Sequence, residues 1–556
     1  MTMAKVSNVR NRYSEVENDK AVGATYTPER LADFVAERIV SIADLPLGRT
    51  IRVLDPAVGH GELLVCLLSR LGANVEVHGY ETDLVAFEVA RERLSKVFPR
   101  AKLCLHNRSF IDHVLEDFPG GLFGNAETYD LIIANPPYVR TQIIGAEQAQ
   151  LLSAQFGLGG RVDLYHAFLL AMTRVLAPDG AAGFIVSNRF MTTKAGATTR
   201  AAMLSDLNLQ HVYDLGDTKL FDAAVLPAIL VARGNQMQGT APTFTSIYAS
   251  KAASTHAATD PISALAFEGA VKMPDGQCFV VAHGILDNGG DPSGTWRLAS
   301  DSVEEWLGTV KHKTWGTFGD VGKIRVGVKT CADKVFIPKK WDEDLELLRP
   351  LTTHHTARRF RPEEPNRQIL YPHEIRDGVR QPVLLDDYPR SRAYLETHRA
   401  TLEGRSYVME AGRNWYELWV PQNPADWPGP KLVFRDISEE PTFWMDLVGT
   451  VVNGDCYWLT GQEDLLWLAL AVGNSTFIER FYDRKFNNKL YAGRRRFITQ
   501  YVEQFPLPDP ESVATRHIIK LCKELYVRLA VAAAPELERE LNTLVWAAFG
   551  LPVEEI

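Results

Sequence analysis

A chain of 556 residues, 46% hydrophobic and 23% charged, has the composition of a soluble globular protein with room for two to four domains. It carries no apolar run of membrane-spanning length, and Met1 to Lys20 lacks the apolar region of a signal peptide, so a cytoplasmic protein is expected. A formal net charge of −9 excludes indiscriminate coating of nucleic acid; if the protein binds DNA, its positive charge must be gathered in a cleft.

The cysteines Cys66, Cys104, Cys278, Cys331, Cys456 and Cys522 lie far apart and show no Cys/His ligand spacing. Neither a metal site nor a disulfide framework is expected from them.

From Thr50 to Ala232 short β-branched runs alternate with helical segments, the rhythm of a doubly wound α/β sheet. Strands are expected at Ile51–Leu54, Val75–Tyr80, Lys102–Leu105, Tyr129–Ala134, Ala182–Ser187, His211–Leu215 and Ala228–Ala232. An amphipathic helix is expected at Leu164–Leu176, stopped by Ala177-Pro-Asp-Gly180. Gly239 to Asp260 is rich in Ser, Thr and Ala and reads as a linker, which divides the chain into a catalytic domain (1–240), a second domain (241–510) and a helical C-terminal segment (511–556).

The first strand runs into Val53-Leu-Asp-Pro-Ala-Val-Gly-His-Gly-Glu62. Gly59 and Gly61 allow a tight turn and close approach to a ligand, and Asp55 at the strand end can face a cationic or hydroxyl group. The next strand ends at Glu81, where an acid in a nucleotide-binding unit accepts from ribose hydroxyls. The chain has neither Gly-x-Gly-x-x-Gly nor Gly-x-x-x-x-Gly-Lys-Ser/Thr. An adenosine cofactor without phosphates is therefore favoured, and S-adenosylmethionine meets that description.

The fourth strand stops at Asn135-Pro-Pro-Tyr138. Two prolines give up two backbone donors and stiffen the corner, so the Asn135 amide oxygen and the Pro136 carbonyl form a rigid pair of acceptors for the two hydrogens of a planar amino group. Tyr138 offers a flat face on which a base can stack. The arrangement suits methyl transfer to a weakly nucleophilic aromatic amine by positioning and fixed dipoles.

Asn135-Pro-Pro-Tyr138, Asp55-Pro-Ala-Val-Gly-His-Gly61 and the upstream Gly23-Ala-Thr-Tyr-Thr-Pro28 together resemble the gamma-class, TaqI-like DNA adenine-N6 methyltransferases of restriction-modification systems. The resemblance implies a Rossmann-like, S-adenosylmethionine-dependent catalytic sheet followed by a mixed α+β target-recognition domain and C-terminal helices. It also implies that Thr27, Asp55 and Gly59 line the methionyl end of the cofactor, with Glu81 on the ribose and Phe110 and Phe168 around the adenine. Where the family carries an acid for the adenine amino group, this chain has Ser109, with Asp112 close by as a substitute. Phe221 resembles the family's second aromatic, facing the target base opposite Tyr138. A stacking pocket of that kind implies that the nucleotide is flipped out of double-stranded DNA.

Downstream, the stretch from Arg484 to Tyr501 holds six basic residues and no acid. Lys485, Lys489, Arg494, Arg495 and Arg496 are accordingly expected at the DNA. His354 to Arg361 is a second, weaker basic patch, and Ile324–Thr330 and Lys431–Ile437 resemble parts of the family's recognition domains.

The protein is expected to act as a monomer beside a separate restriction endonuclease, without a fused nuclease of its own. Other planar amines share the motif: cytosine N4, an RNA adenine, or a protein glutamine. A non-catalytic DNA specificity module is the remaining alternative.

Overall fold

The computed structural model describes residues 27–554, apart from 46–47, 73, 118–127, 139–145, 159–162, 222–225, 236–240, 251–252, 255, 487–489 and 491–493. The chain divides into two compact units, Met1–Ser300 and Asp301–Ile556.

The first unit is organised by a twelve-stranded sheet in the order β3-β2-β1-β4-β5-β7-β6-β8-β11-β10-β9, with β12 on β11. Its N-terminal half comprises β1 (Ile51–Asp55), β2 (Val75–Tyr80), β3 (Lys102–His106), β4 (Tyr129–Ala134), β5 (Leu176–Ser187), β6 (Leu207–Asp214) and β7 (Pro227–Gly234). Strands β1 to β5 pair in parallel, and β7 enters antiparallel between β5 and β6. The order reverses between β1 and β4. In an open α/β sheet that reversal opens a crevice at the carboxyl ends of the strands.

Period-two patterning explains the two-faced core. On β4, Leu131 and Ile133 face one apolar layer with Leu31, Val35 and Ile39 of helix Glu29–Ile42; Ile132 and Ala134 face the other, with Tyr165, Phe168 and Leu169 of helix Leu164–Val175.

Helix Leu164–Val175 ends where the proline and glycine were expected to end it, but no loop intervenes. β5 begins at Leu176, and Ala177-Pro-Asp-Gly180 is absorbed as an irregularity in its pairing, where Tyr129 faces Leu176 and Leu131 faces Ala181.

The expected boundary at 240 requires correction. β8 (Thr243–Ala249) pairs with β6, and β9 (His256–Ala257), β10 (Gly269–Lys272), β11 (Cys278–Asp287) and β12 (Arg297–Ala299) extend the same sheet. The Ser/Thr-rich composition that suggested a linker is that of a strand: Phe244, Ile247 and Tyr248 are buried while Thr243 and Ala249 are exposed.

In the second unit an antiparallel sheet, in the order Arg325–Val326, Cys456–Leu459, Lys431–Arg435, Phe443–Asp446, separates two cores. Leu432 and Phe434 face a helical layer, while Val433, Trp444 and Trp458 face an aromatic-rich one. The C-terminal helices Val513–Arg528 and Pro535–Ala548 belong to that helical layer: Ile518, Leu525 and Trp546 pack with Leu466, Leu470 and Phe477. The two helices of the expected C-terminal segment thus contribute to this unit's core. No helix among the described residues is long and apolar enough to cross a membrane.

Candidate active site

The carboxyl ends of β1 and β4 lie side by side at the reversal point, and each delivers one half of the site. After β1 the chain turns through Gly59 and Gly61, whose φ values of 53° and 81° are left-handed and favour glycine. The Gly59 amide donates to Glu81 Oε2 at 2.9 Å, and the amide of Asp83 donates to Glu81 Oε1 at 2.8 Å. Asp83 in turn caps helix Leu84–Val97 through the Ala86 amide. The glycine turn and the end of β2 are therefore tied together by one carboxylate.

Asp55 is completely buried. Its Oδ1 accepts from the Ala57 amide at 3.0 Å, whereas Oδ2 has no hydrogen-bond partner among the described residues. Burial pushes the carboxyl up to about 7 against the opposing Ala57 hydrogen bond, and the charge of Glu81 adds to the rise. A buried acceptor without a donor fits a ligand that brings one.

At the end of β4, the Asn135 amide nitrogen donates to Thr27 Oγ1 at 3.0 Å, and the Tyr138 hydroxyl donates to Asn135 Oδ1 at 2.9 Å. The same hydroxyl lies 3.3 Å from the Ile185 carbonyl. Burial raises the Tyr138 phenol well above its ordinary range, so it remains a neutral donor. Its ring packs edge-on against Tyr165, with centroids 5.9 Å apart. Thr27, Gly59 and Asn135 share a cavity of about 130 Å³ with His60, Glu62 and Arg93.

Those last three residues were not singled out in the sequence. His60 and Glu62 stand inside the glycine motif, where they could have been noticed. Arg93 gives no such signal: it lies on helix Leu84–Val97 and meets Glu62 at 2.6 Å only in the fold.

Phe110 and Phe168, the two rings expected around the cofactor adenine, are both buried with centroids 6.1 Å apart, and Tyr80 packs on Phe110 at 5.4 Å. The Ser109 hydroxyl accepts weakly from the Asp112 amide at 3.4 Å at the start of helix Phe110–Asp117, and Asp112 itself is exposed. Asn107 reaches the Glu81 carbonyl at 2.9 Å. Phe221 is not brought to Tyr138. It is buried in the apolar layer beside helix Glu29–Ile42, whereas Tyr138 packs with the layer on the opposite face.

The basic stretch is corrected most sharply. Arg495 is buried and pairs with Glu479 at 2.8 Å and Asp483 at 2.7 Å, so it is an internal ion-pair residue and not a DNA contact. Acids from a neighbouring helix supply what the local sequence lacks. Arg496, partly exposed, pairs with Asp436 at 3.2 Å. Arg484 pairs with Glu554 at 2.8 Å and lies over the Trp306 ring. Arg494 is exposed, Lys485 is partly exposed, and Lys489 lies outside the described residues. The second patch is internally engaged as well: His354 meets Asp455, Arg358 meets Glu363, and Arg361 covers Tyr526.

One cluster of ligand types does form where sequence spacing gave no hint. Glu76, His78 and Cys104 bring their ligand atoms within 4.8 Å of one another, because His78 and Cys104 face each other across β2 and β3. Glu76 is engaged there by His78 at 2.9 Å and Lys102 at 3.0 Å.

Residues 78–221 match the Eco57I restriction-modification methylase family. The chain is 38% identical to the type II methyltransferase M.BanIII of Aneurinibacillus aneurinilyticus, over 96% of this chain and 97% of that one. It is 27% identical to M.XhoI of Xanthomonas vasicola over 95% and 97% of the two chains. Among solved structures, the ATP-dependent type ISP restriction-modification enzyme LlaBIII shares the fold over 91% of this chain and 40% of its own, with a TM-score of 0.51 at 10% identity. The glycine turn, the orphaned Asp55 oxygen and the stiff Asn135 corner thus coincide with close similarity along nearly the whole chain: the protein belongs to the type II restriction-modification DNA methyltransferases, with S-adenosylmethionine as methyl donor.

Proposed function

We propose that the protein methylates the N6 amino group of adenine at a specific site in double-stranded DNA, on a nucleotide turned out of the duplex, and so protects host DNA in the cytoplasm beside a separate restriction endonuclease. The observation that carries this reading is the Asn135 amide. Its nitrogen is taken by Thr27, so its oxygen is the end on the side of Tyr138.

An aromatic amine is a weak nucleophile because its lone pair is delocalised into the ring. Asn135 Oδ1 and the Pro136 carbonyl each accept one of its N–H bonds, which favours a pyramidal nitrogen with an available pair. Tyr138 stacks on the base. Phe221 serves as the opposite face only if it leaves the apolar layer it now occupies.

When bound, S-adenosylmethionine supplies an electrophilic methyl group on a sulfonium centre. Asp55 Oδ2 accepts from a cationic or hydroxyl group of the cofactor, and Glu81 accepts from its ribose. Gly59 and Gly61 border the methionyl end. Phe110 and Phe168 flank the adenine, with Ser109 or Asp112 at its amino group.

The second unit reads the DNA as a monomer's recognition domain. Its exposed cations, Arg494 foremost, meet phosphates together with Lys485, Lys489 and the outer part of Arg496.

Single-molecule sequencing of DNA from cells expressing the protein tests the reading. N6-methyladenine at one recurring sequence is expected. N4-methylcytosine in its place, or unmodified DNA with methyl groups on RNA or glutamine, contradicts it.

A further inference from the structure

We infer that Thr27 is a positioning residue for the catalytic amide, fixing which end of Asn135 is turned toward the target amine; this rests on the proposed role of Asn135 as an acceptor. A carboxamide can rotate by half a turn and exchange its oxygen for its nitrogen at little steric cost. In one orientation it accepts from an amine, and in the other it opposes N–H to N–H. Both prolines stiffen the backbone beside Asn135, but neither constrains that last torsion.

Thr27 supplies the missing constraint. Its hydroxyl oxygen accepts from Asn135 Nδ2 at 3.0 Å while the Tyr138 hydroxyl donates to Oδ1 at 2.9 Å, so a half turn of the amide would break both bonds and require both hydroxyls to reverse their protons.

The threonine is itself held in place. Pro28 follows it with φ −60° and ψ 140°, and the Pro28 carbonyl accepts from the amides of Leu31 and Ala32 at 3.0 Å at the start of helix Glu29–Ile42. Leu31, Val35 and Ile39 anchor that helix with zero exposure against the sheet. Thr27 is thus carried on a rooted helix entry, separated by 108 positions from the asparagine it orients.

The rival role for Thr27 is cofactor binding, because its side chain also borders the cavity shared by Gly59 and Arg93. The two roles separate in kinetics. Thr27→Val keeps the shape and removes the hydroxyl; Thr27→Ser keeps the hydroxyl. Single-turnover methyl transfer to duplex DNA at saturating cofactor, cofactor-product affinity by titration with S-adenosylhomocysteine, and thermal melting are measured on the full-length protein.

The expected result is a fall of roughly tenfold or more in the transfer rate for Thr27→Val, with affinity and melting near those of the unaltered protein, and recovery to within about threefold in Thr27→Ser. An unchanged transfer rate in Thr27→Val, a loss confined to cofactor affinity, or failure of Thr27→Ser to recover overturns the inference. If the unaltered protein transfers no methyl group to DNA, the functional reading beneath it fails instead, and that outcome is visible before any variant is compared.

Discussion

Tyr138 donates its hydroxyl proton to Asn135 Oδ1 at 2.9 Å, so the stacking platform and the amide acceptor are joined before any base arrives. A hydrogen bond of this kind contributes about 1 kcal/mol, whereas the ring carries the stacking. Tyr138→Phe is therefore expected to lower the transfer rate by less than about tenfold and Tyr138→Ala by considerably more. Rates measured on the same duplex decide this; equal losses in the two variants would mean that the hydroxyl, not the ring, is what matters.

Asp55 gives the site a pH signature. Its folded-state pKa is raised to about 7 from 3.8, so the folded protein holds a proton that the unfolded chain releases, and the contribution of Asp55 to stability declines as pH rises from about 4 through 7. A cofactor donor on Oδ2 stabilises the carboxylate and draws the pKa back down. Binding near pH 6 should accordingly release up to one proton, and affinity should rise with pH toward about 7. Calorimetry in buffers of different ionisation enthalpy measures the release. Asp55→Asn should abolish that part of it; identical proton release in the variant would remove Asp55 from the linkage.

Arg494 and Arg495 are neighbours with opposite expected phenotypes. Arg495→Ala leaves Glu479 and Asp483 without their shared cation in a buried setting, and a loss of roughly 3–5 kcal/mol of stability is expected. Denaturant unfolding checks this. Arg494→Ala should leave stability within about 0.5 kcal/mol.

For Arg494→Ala the effect belongs in DNA binding, which should weaken with a shallower salt dependence, the slope changing by about one unit. An unchanged slope in a binding titration over a range of salt concentrations would remove Arg494 from the phosphate contacts.

The catalytic sheet was legible because most of its strands are short apolar runs closed by a polar or glycine signal. β2 and β4 have the boundaries expected of them, and Asp55, Glu81 and Asn135 fall on the predicted sheet edge. β8 was not legible, since Thr and Ser are as much at home in a strand as in a linker and only its pairing with β6 decides. Arg495 was misread for a related reason. A basic run shows its own charge in the sequence, but the acids that neutralise Arg495 lie on the preceding helix Thr476–Phe486 and meet it only in the fold. The link between Thr27 and Asn135 left no local pattern, because it joins a helix entry to a distant strand end.

The central claim, that Asn135 is an acceptor for the target amine and not a structural support, is tested most directly by Asn135→Ala in single-turnover methyl transfer to duplex DNA, with cofactor affinity measured on the same preparation. The account predicts that transfer is abolished while cofactor affinity stays within about tenfold, or about 1.4 kcal/mol. Retained transfer, or a collapse of cofactor affinity accompanying its loss, would contradict it.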